Sequence, residues 1–211
     1  AKPSIEIYPG TPLPEESKQT THFNVVDSKG NTVSVTTTLN STFGNKIVVD
    51  GAGFLLNNEM DDFSAKPGTA NQYGLLGGEA NAIEPNKRML SAMTPTIVLD
   101  KNGNSFMAVG SPGGSTIITV VAQIILNVID FGMDIQTAID MPRFHHQWMP
   151  DQIDYEPFGM TEDVKENLIE IGHKIGNLRY LGRAEGIIID KKNGLLWGAT
   201  DPRGYGKAVG Y

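Results

Sequence analysis

The chain contains no cysteine among its 211 residues. That single absence removes disulfides, thiolate metal sites and a cysteine nucleophile together. It leaves the compartment open, because a domain of this size does not need disulfides to be stable. Long hydrophobic runs are missing too. The longest apolar stretch, Ile117 to Ile129, is interrupted by Gln123 and Asn127. It falls short of the roughly 18–20 apolar residues needed to cross a bilayer and reads as a buried helix. Ala1-Lys2-Pro3-Ser4 has no apolar segment behind it, so no signal peptide is expected in the sequence given. Cations are in the minority, with 17 Lys and Arg against 24 Asp and Glu for a formal net charge of -7. Nucleic acid is therefore excluded as a partner, since tracking phosphates needs clustered Lys and Arg. Of the 4 histidines, His145 and His146 are adjacent and cannot share one face of a regular element, while His22 and His173 stand alone. No zinc site is expected from such spacing.

What remains is an ordinary globular composition, 39% hydrophobic, long enough for one or two domains. Residues 1–19 differ from the rest. Pro3, Pro9, Pro12 and Pro14 with Gly10 favour extended, irregular backbone, and Glu15 to Gln19 form a polar run. A surface arm or linker is expected there.

From Thr21 the pattern becomes strand. His22–Val26 and Thr32–Thr38 are rich in β-branched residues and flank a turn at Asp27-Ser28-Lys29-Gly30-Asn31. Short strands are expected at Ile47–Val49 and Gly53–Leu56, and a second hairpin at Thr96–Leu99 and Ser105–Val109. Ala65 to Lys87 is Gly-, Asn- and Pro-rich with little periodicity; a loop of that length is a functional lid or a disordered segment. Helices are expected over Ser115–Phe131, apolar all round, over Asp134–Asp140, and over Thr161–Ile171 with Thr161 as N-cap. A last hairpin joins Gly186–Asp190 to Leu195–Ala199. Strands, then helices, then strands make an α+β layered domain.

Three features carry chemistry. Ser111-Pro112-Gly113-Gly114-Ser115 lies between a strand and a buried helix; it is either a tight turn or a place where backbone N–H groups meet developing negative charge. Glu59, Asp61 and Asp62 form an acidic cluster, either a solvated turn or a seat for an ammonium group. At Gln19-Thr20-Thr21 a polar arm runs directly into the first strand. A threonine hydroxyl needs a base. A cut before Thr20 would free an α-amino group of pKa about 7.7–8.0 to act as one.

The segments Thr20-Thr21-His22-Phe23-Asn24-Val25-Val26-Asp27, Thr36 to Gly44 and Leu55 to Phe63 together resemble the gamma-glutamyltranspeptidase small subunit. Pro85 to Ser91, Ser111 to Gly114, Pro142 to Gln147 and Asp201-Pro202-Arg203 continue the likeness in order along nearly the whole chain. The resemblance implies an N-terminal nucleophile (Ntn) hydrolase, an αββα four-layer sandwich cut from one precursor. Residues 1–19 would be the end of the large subunit and residues 20–211 the small subunit, with autocleavage between Gln19 and Thr20. It further implies that Thr20 is the nucleophile and that Thr38 hydrogen-bonds it. Gly113 and Gly114 would supply the oxyanion hole. Asn40, Glu59 and Asp62 would hold the substrate α-amino group and Ser91 its α-carboxylate, with Tyr73 gating the pocket in a lid over Ala65 to Asn81.

The implied partners are the large subunit of the same precursor, glutathione or another gamma-glutamyl compound, and an amino acid or peptide acceptor. Neither metal nor cofactor is implied, and the location is periplasmic or extracellular. Two departures stand out. Many members carry a second serine where this chain has Ala92, which leaves room for a sibling acylase acting on glutaryl beta-lactams. The carboxylate-binding arginine belongs to the large subunit, and none of Arg88, Arg143, Arg179, Arg183 or Arg203 matches it. A piece left uncleaved before Thr20 would be silent.

Overall fold

The computed structural model describes residues 20–210. The expected arm over residues 1–19, Gln19 and Tyr211 lie outside the described residues. Three antiparallel hairpins share one turn chemistry. β1 (Thr20–Val26) and β2 (Thr32–Thr38) are joined through Asp27, whose Oδ1 accepts from the N–H groups of Lys29 and Asn31, both at 2.8 Å. β3 (Thr96–Leu99) and β4 (Ser105–Gly110) are joined through Asp100, which accepts from Asn102 and Asn104. β8 (Glu185–Asp190) and β9 (Leu195–Thr200) turn at Asp190, which accepts from Asn193. In each case a short carboxylate satisfies turn N–H groups that the ladder cannot reach.

The second and third hairpins join edge to edge as a four-stranded sheet in the order β3-β4-β8-β9. The first hairpin packs across it, β1 on β4 and β8, β2 on β3 and β4. Helices α1 (Ile117–Ile129) and α2 (Ile135–Asp140) pack against β4, β8 and β9. Alternation along the strands assigns the two faces. A side chain at Gly110 would strike the His22 ring of the hairpin, whereas one at Gly186 would strike Ile135 and Ile139 of α2. Met107, Ala108 and Val109 of β4 are all 0% exposed, as expected for a strand covered on both faces. The apolar core lies on the helical side, where Val120, Ile124, Ile135 and Ile139 meet Met107 and Val109. Each such fully buried side chain contributes about 1.5–3 kcal/mol by area.

Between the hairpin and the sheet the packing is polar. The His22 ring nitrogens lie 2.8 Å from Thr36 Oγ1 and 3.1 Å from Asn24 Oδ1, and Asn24 donates to the Glu185 carbonyl. Burial pulls the His22 pKa down and so favours the neutral ring. This contact sets the strand that begins with Thr20 directly beside Gly110, the residue before the glycine turn.

The expected strands at 47–49 and 53–56 reduce to one bridge, Val48 to Leu55. Among the described residues no neighbouring strand extends them, and Ile47, Val48 and Phe54 stay more than half exposed. A three-stranded sheet of β5 (Phe144–His145), β6 (Ile153–Tyr155) and β7 (Ile175–Leu178) went unanticipated, with β6 and β7 parallel. Helix α3 (Glu162–Glu170) packs on β7. α1 is covered on one face only: Ile118, Leu126 and Ile129 are about half exposed. The outer face of the first hairpin is likewise apolar and open at Phe23, Val25 and Val33. The described residues thus supply helices, sheet and hairpin, three stacked layers with apolar outer faces. The stretch 65–87 is neither a strand nor shapeless: a bridge from Ala70 to Leu76 and a 3-10 turn at Glu79–Asn81 organise it.

Candidate active site

Thr20 opens β1 and Thr38 closes β2, and the antiparallel register sets them directly opposite each other. Both line a cleft of about 770 Å³. Asn40, Glu59, Asp62, Tyr73, Ser91 and Gly114 line the same cleft, although they are scattered over 75 positions of sequence between Asn40 and Gly114. Gly113 lines an adjoining cavity that shares Tyr73, Gly114 and Ser115 with it. Of the residues singled out from sequence, only Gln19 lies outside the described set.

The glycine turn follows β4 without a break. Gly113 has φ 143° and Gly114 φ 57°, conformations that residues with a Cβ rarely adopt. The Gly113 carbonyl accepts from Thr116 Oγ1 at 2.9 Å and from Thr116 N at 3.1 Å, which pins the turn onto the start of α1. Among the described residues no acceptor pairs with the N–H of Gly113 or Gly114. Ser111, fully buried, accepts from Arg183 N at 2.9 Å and locks the other end. Unengaged N–H groups at the edge of a cleft suit a carbonyl oxygen that becomes negative.

The acidic cluster is a 3-10 turn, Glu59–Asp62. Burial, then the Asp62 charge, then a hydrogen bond with Asp62 push the Glu59 carboxyl up to about 7. Asp62 is also raised, chiefly by burial. Two carboxylates sharing a poorly solvated wall hold a proton between them unless a cation arrives. The cleft wall contains neither Lys nor Arg among the described residues.

Asn40 is 5% exposed with φ 69°, and its main-chain N–H donates to Thr38 Oγ1 at 2.9 Å. Its side chain is already engaged: Oδ1 accepts from the Tyr73 hydroxyl at 2.8 Å and Nδ2 donates to the Asn58 carbonyl at 3.2 Å. Tyr73 is therefore tied across the cleft to the end of β2, with its ring over Gly114. Ser91 is exposed on the rim, and its Oγ accepts from Met93 N at 3.2 Å.

Sequence reading missed two residues that hold this wall together. Asn81 donates to the Asp62 carbonyl at 2.7 Å and accepts from Leu90 N at 2.9 Å, joining the acidic turn to the Ser91 segment. Asn71 Oδ1 accepts from the N–H groups of Tyr73 and Leu75, both at 3.0 Å, and so shapes the Tyr73 turn. Only the abundance of Asn in this loop hinted at such brackets.

Two of the arginine-bearing motifs prove to be buried supports. Arg143 Nη2 and Arg203 Nη1 pair with Asp201 at 2.7 and 3.0 Å, and Arg203 also pairs with Glu156. Arg179 pairs with Asp154 at 2.8 Å. None of the three reaches the cleft wall.

A threonine at a strand start, opposed by a second hydroxyl and flanked by a glycine turn on a layered α+β scaffold, defines an N-terminal nucleophile hydrolase architecture. The family model described as Gamma-glutamyltranspeptidase matches residues 1–211, and the chain belongs to that family. It is 53% identical over 203 residues to the glutathione hydrolase proenzyme of Escherichia coli K12, spanning 96% of this chain but 34% of that relative's length. The glutathione hydrolase proenzyme of Pseudomonas sp. strain A14 is 46% identical, with 99% of this chain and 37% of its own length covered. The chain thus spans about a third of the length of these two relatives. A threonine-to-alanine mutant of the Helicobacter pylori gamma-glutamyltranspeptidase superposes with TM-score 0.81 at 55% identity, covering 87% of this chain and all of that one.

Proposed function

We propose that the protein of which this chain is part transfers gamma-glutamyl groups and hydrolyses glutathione or related gamma-glutamyl compounds, with Thr20 as nucleophile. One observation carries the reading: a single cleft gathers Thr20, Thr38, Gly114, the Glu59–Asp62 pair and Ser91.

In this scheme the precursor is cut between Gln19 and Thr20, separating the arm of residues 1–19 from the unit 20–211. The Thr20 Oγ attacks the gamma-carbonyl carbon while the freed Thr20 α-amino group takes the hydroxyl proton. The oxygen of the tetrahedral intermediate rests on the N–H groups of Gly113 and Gly114. The C–N bond then breaks, the proton passes to the leaving amine, and a gamma-glutamyl ester remains on Thr20. Water or an acceptor amine attacks that ester and loses a proton to the Thr20 amino group; the ester C–O bond then breaks, the proton returns to Thr20 Oγ, and the free acid or new amide departs. Thr38 orients the nucleophile. Glu59 and Asp62, with Asn40, receive the donor ammonium, and Ser91 contributes to its α-carboxylate. No cation faces that carboxylate on the described cleft wall, so the large subunit of the same precursor is the partner expected to supply one. Its fold would also cover the open apolar faces of the hairpin and of α1. The family resemblance supports an exported location, periplasmic or extracellular, which cell fractionation checks.

The test is kinetic. In the full-length protein, Thr20→Ala should lower turnover of a gamma-glutamyl anilide on the order of 10⁴-fold or more and leave the precursor uncut. Activity retained above background would remove Thr20 from the mechanism. A parallel assay with a glutaryl anilide decides between this reading and a sibling acylase. Preference for the glutaryl compound, which lacks the ammonium, would overturn the donor assignment.

A further inference from the structure

The two seats assigned to the donor are held in different ways. The acidic turn is tied to the end of β2. Asn58 N donates to the Leu39 carbonyl at 3.1 Å, and Asn58 Oδ1 accepts from Ser41 N at 2.9 Å. The Ser91 segment has no such anchor. Among the described residues, the hydrogen bonds of residues 88–94 stay within the stretch 88–96 with one exception, Leu90 N to Asn81 Oδ1 at 2.9 Å. Leu90 itself is 68% exposed, so apolar burial adds little to that hold.

Asn81 is committed through both its main chain and its amide. Its N–H donates to the Gly78 carbonyl at 3.1 Å, closing the 3-10 turn Glu79–Asn81, and its carbonyl accepts from Ser64 N at 2.9 Å. Its Nδ2 donates to the Asp62 carbonyl at 2.7 Å. The side chain thus reaches 19 positions back to the acidic turn and 9 forward to the residue before Ser91. Nδ2 and Oδ1 sit at fixed places on one planar amide. Spending the donor on one segment and the acceptor on the other therefore fixes the distance between the segments. A gamma-glutamyl donor demands a fixed distance, because its ammonium and carboxylate stand on the same carbon.

We propose that Asn81 is a positioning residue that sets the spacing between the ammonium seat and the carboxylate seat, and so makes the cleft selective for donors that carry both groups on one carbon. The inference rests on the donor assignment above, and Asn81 acts through Asp62 and the Ser91 segment. With the seats at a set spacing, a donor that has placed its first group binds the second without further ordering of the wall. A donor with one group draws no benefit from the bracket, since it can settle on its single seat.

The experiment uses the full-length processed protein and four anilides: gamma-glutamyl, glutaryl without the ammonium, 4-aminobutyryl without the carboxylate, and butyryl with neither. Each kcat/KM is measured, under single-turnover conditions where release is slow. The product of the first and last values, divided by the product of the middle two, is the coupling between the donor's two groups. It should be about tenfold or more in the native protein, as for groups that share one site. Asn81→Ala should bring it to within about twofold of one, the scatter of independent groups. Asn81→Asp keeps an acceptor for Leu90 N but has no donor for the Asp62 carbonyl, and its coupling should also fall below the native value. A smaller folded or processed fraction cancels in this quotient, so a merely structural role would not move it. A native coupling near one would overturn the proposal without any variant having to fold. So would native coupling in either variant. A native protein that releases no anilide from the gamma-glutamyl donor, or prefers the glutaryl one, would overturn the donor reading instead, and this assignment with it.

Discussion

Two groups of carboxylates in this molecule are treated in opposite ways. Asp201 and Glu156 are buried to 2% and 1% exposure, and every oxygen is used. Asp201 Oδ2 accepts from Arg143 and from Ala184 N, and Oδ1 from Arg203 Nη1 and Arg203 N. Glu156 Oε1 accepts from Leu181 N and Arg203 Nε, and Oε2 from Arg143 N and Arg203 Nη2. Two positive and two negative charges cancel. Among the described residues Glu59 and Asp62 have only each other, on a wall without a cation, and both are raised in pKa. The first group is complete and serves as structure: it ties the segments at residues 143, 156, 181 and 201 into one block. The second is incomplete, and in the proposed scheme the donor ammonium would complete it. Paired buried charges serve as scaffolding here, and unpaired raised ones line the candidate cleft.

The comparison can be broken from its scaffold side first. Asp201→Ala should cost about 3–5 kcal/mol, because Arg143 would be left buried without its partner. Thermal denaturation should show a much lower midpoint, whereas any folded fraction should keep its donor KM. A variant with unchanged melting would mean that the cluster carries little of the fold. Next comes the cleft. Asp62→Ala should raise the donor KM about 10- to 100-fold, the scale of one hydrogen bond to a charged group, and leave the midpoint unchanged or higher. An unchanged KM would rule out its role with the ammonium.

Smaller effects sharpen the contrast. In the native protein the donor KM should fall as pH rises through about 7, where Glu59 loses its proton and the pair gains its second negative charge. A flat profile between pH 6 and 8 would show that the pair does not bind the ammonium. Tyr73→Phe removes the hydrogen bond to Asn40 and should cost about 1 kcal/mol, read as a few-fold rise in donor KM. Smallest is the stability effect of Glu59. Its folded pKa lies above its unfolded value, so its contribution is present below about 4.5 and is lost as pH rises towards about 7. Glu59→Gln should therefore raise the midpoint at pH 8 by at most about 2–4 °C, once solvent screening of this partly exposed group is allowed for. It should change little at pH 4.

Local patterns made the three hairpins and the three helices legible. Asp and Gly mark each turn within five positions, and the apolar run at 117–129 fits no other element. β5 to β7 were not legible, because two or three residues carry no period and β6 finds its parallel partner about twenty positions away, across α3. Ile47–Val49 and Gly53–Leu56 had the composition of strands but found no sheet to join. The Arg143–Asp201 and Arg203–Glu156 pairs span 58 and 47 positions, so sequence offered the motifs without their purpose. The site was legible in pieces: a hydroxyl, an acidic turn and a glycine turn, each with a plain structural alternative. Only the family resemblance joined them; the structure lines one cleft with residues from all three. Asn71 and Asn81 escaped notice because a bracketing amide looks like any loop asparagine until its partners are seen.

The central claim is that Thr20 becomes the nucleophile by becoming an N-terminus. N-terminal sequencing with intact mass on the purified full-length protein, native and Thr20→Ala, tests it most directly. The account predicts a native small chain beginning at Thr20 and an uncut Thr20→Ala precursor. A fully active native protein with the Gln19–Thr20 bond intact, or cut elsewhere, would contradict it.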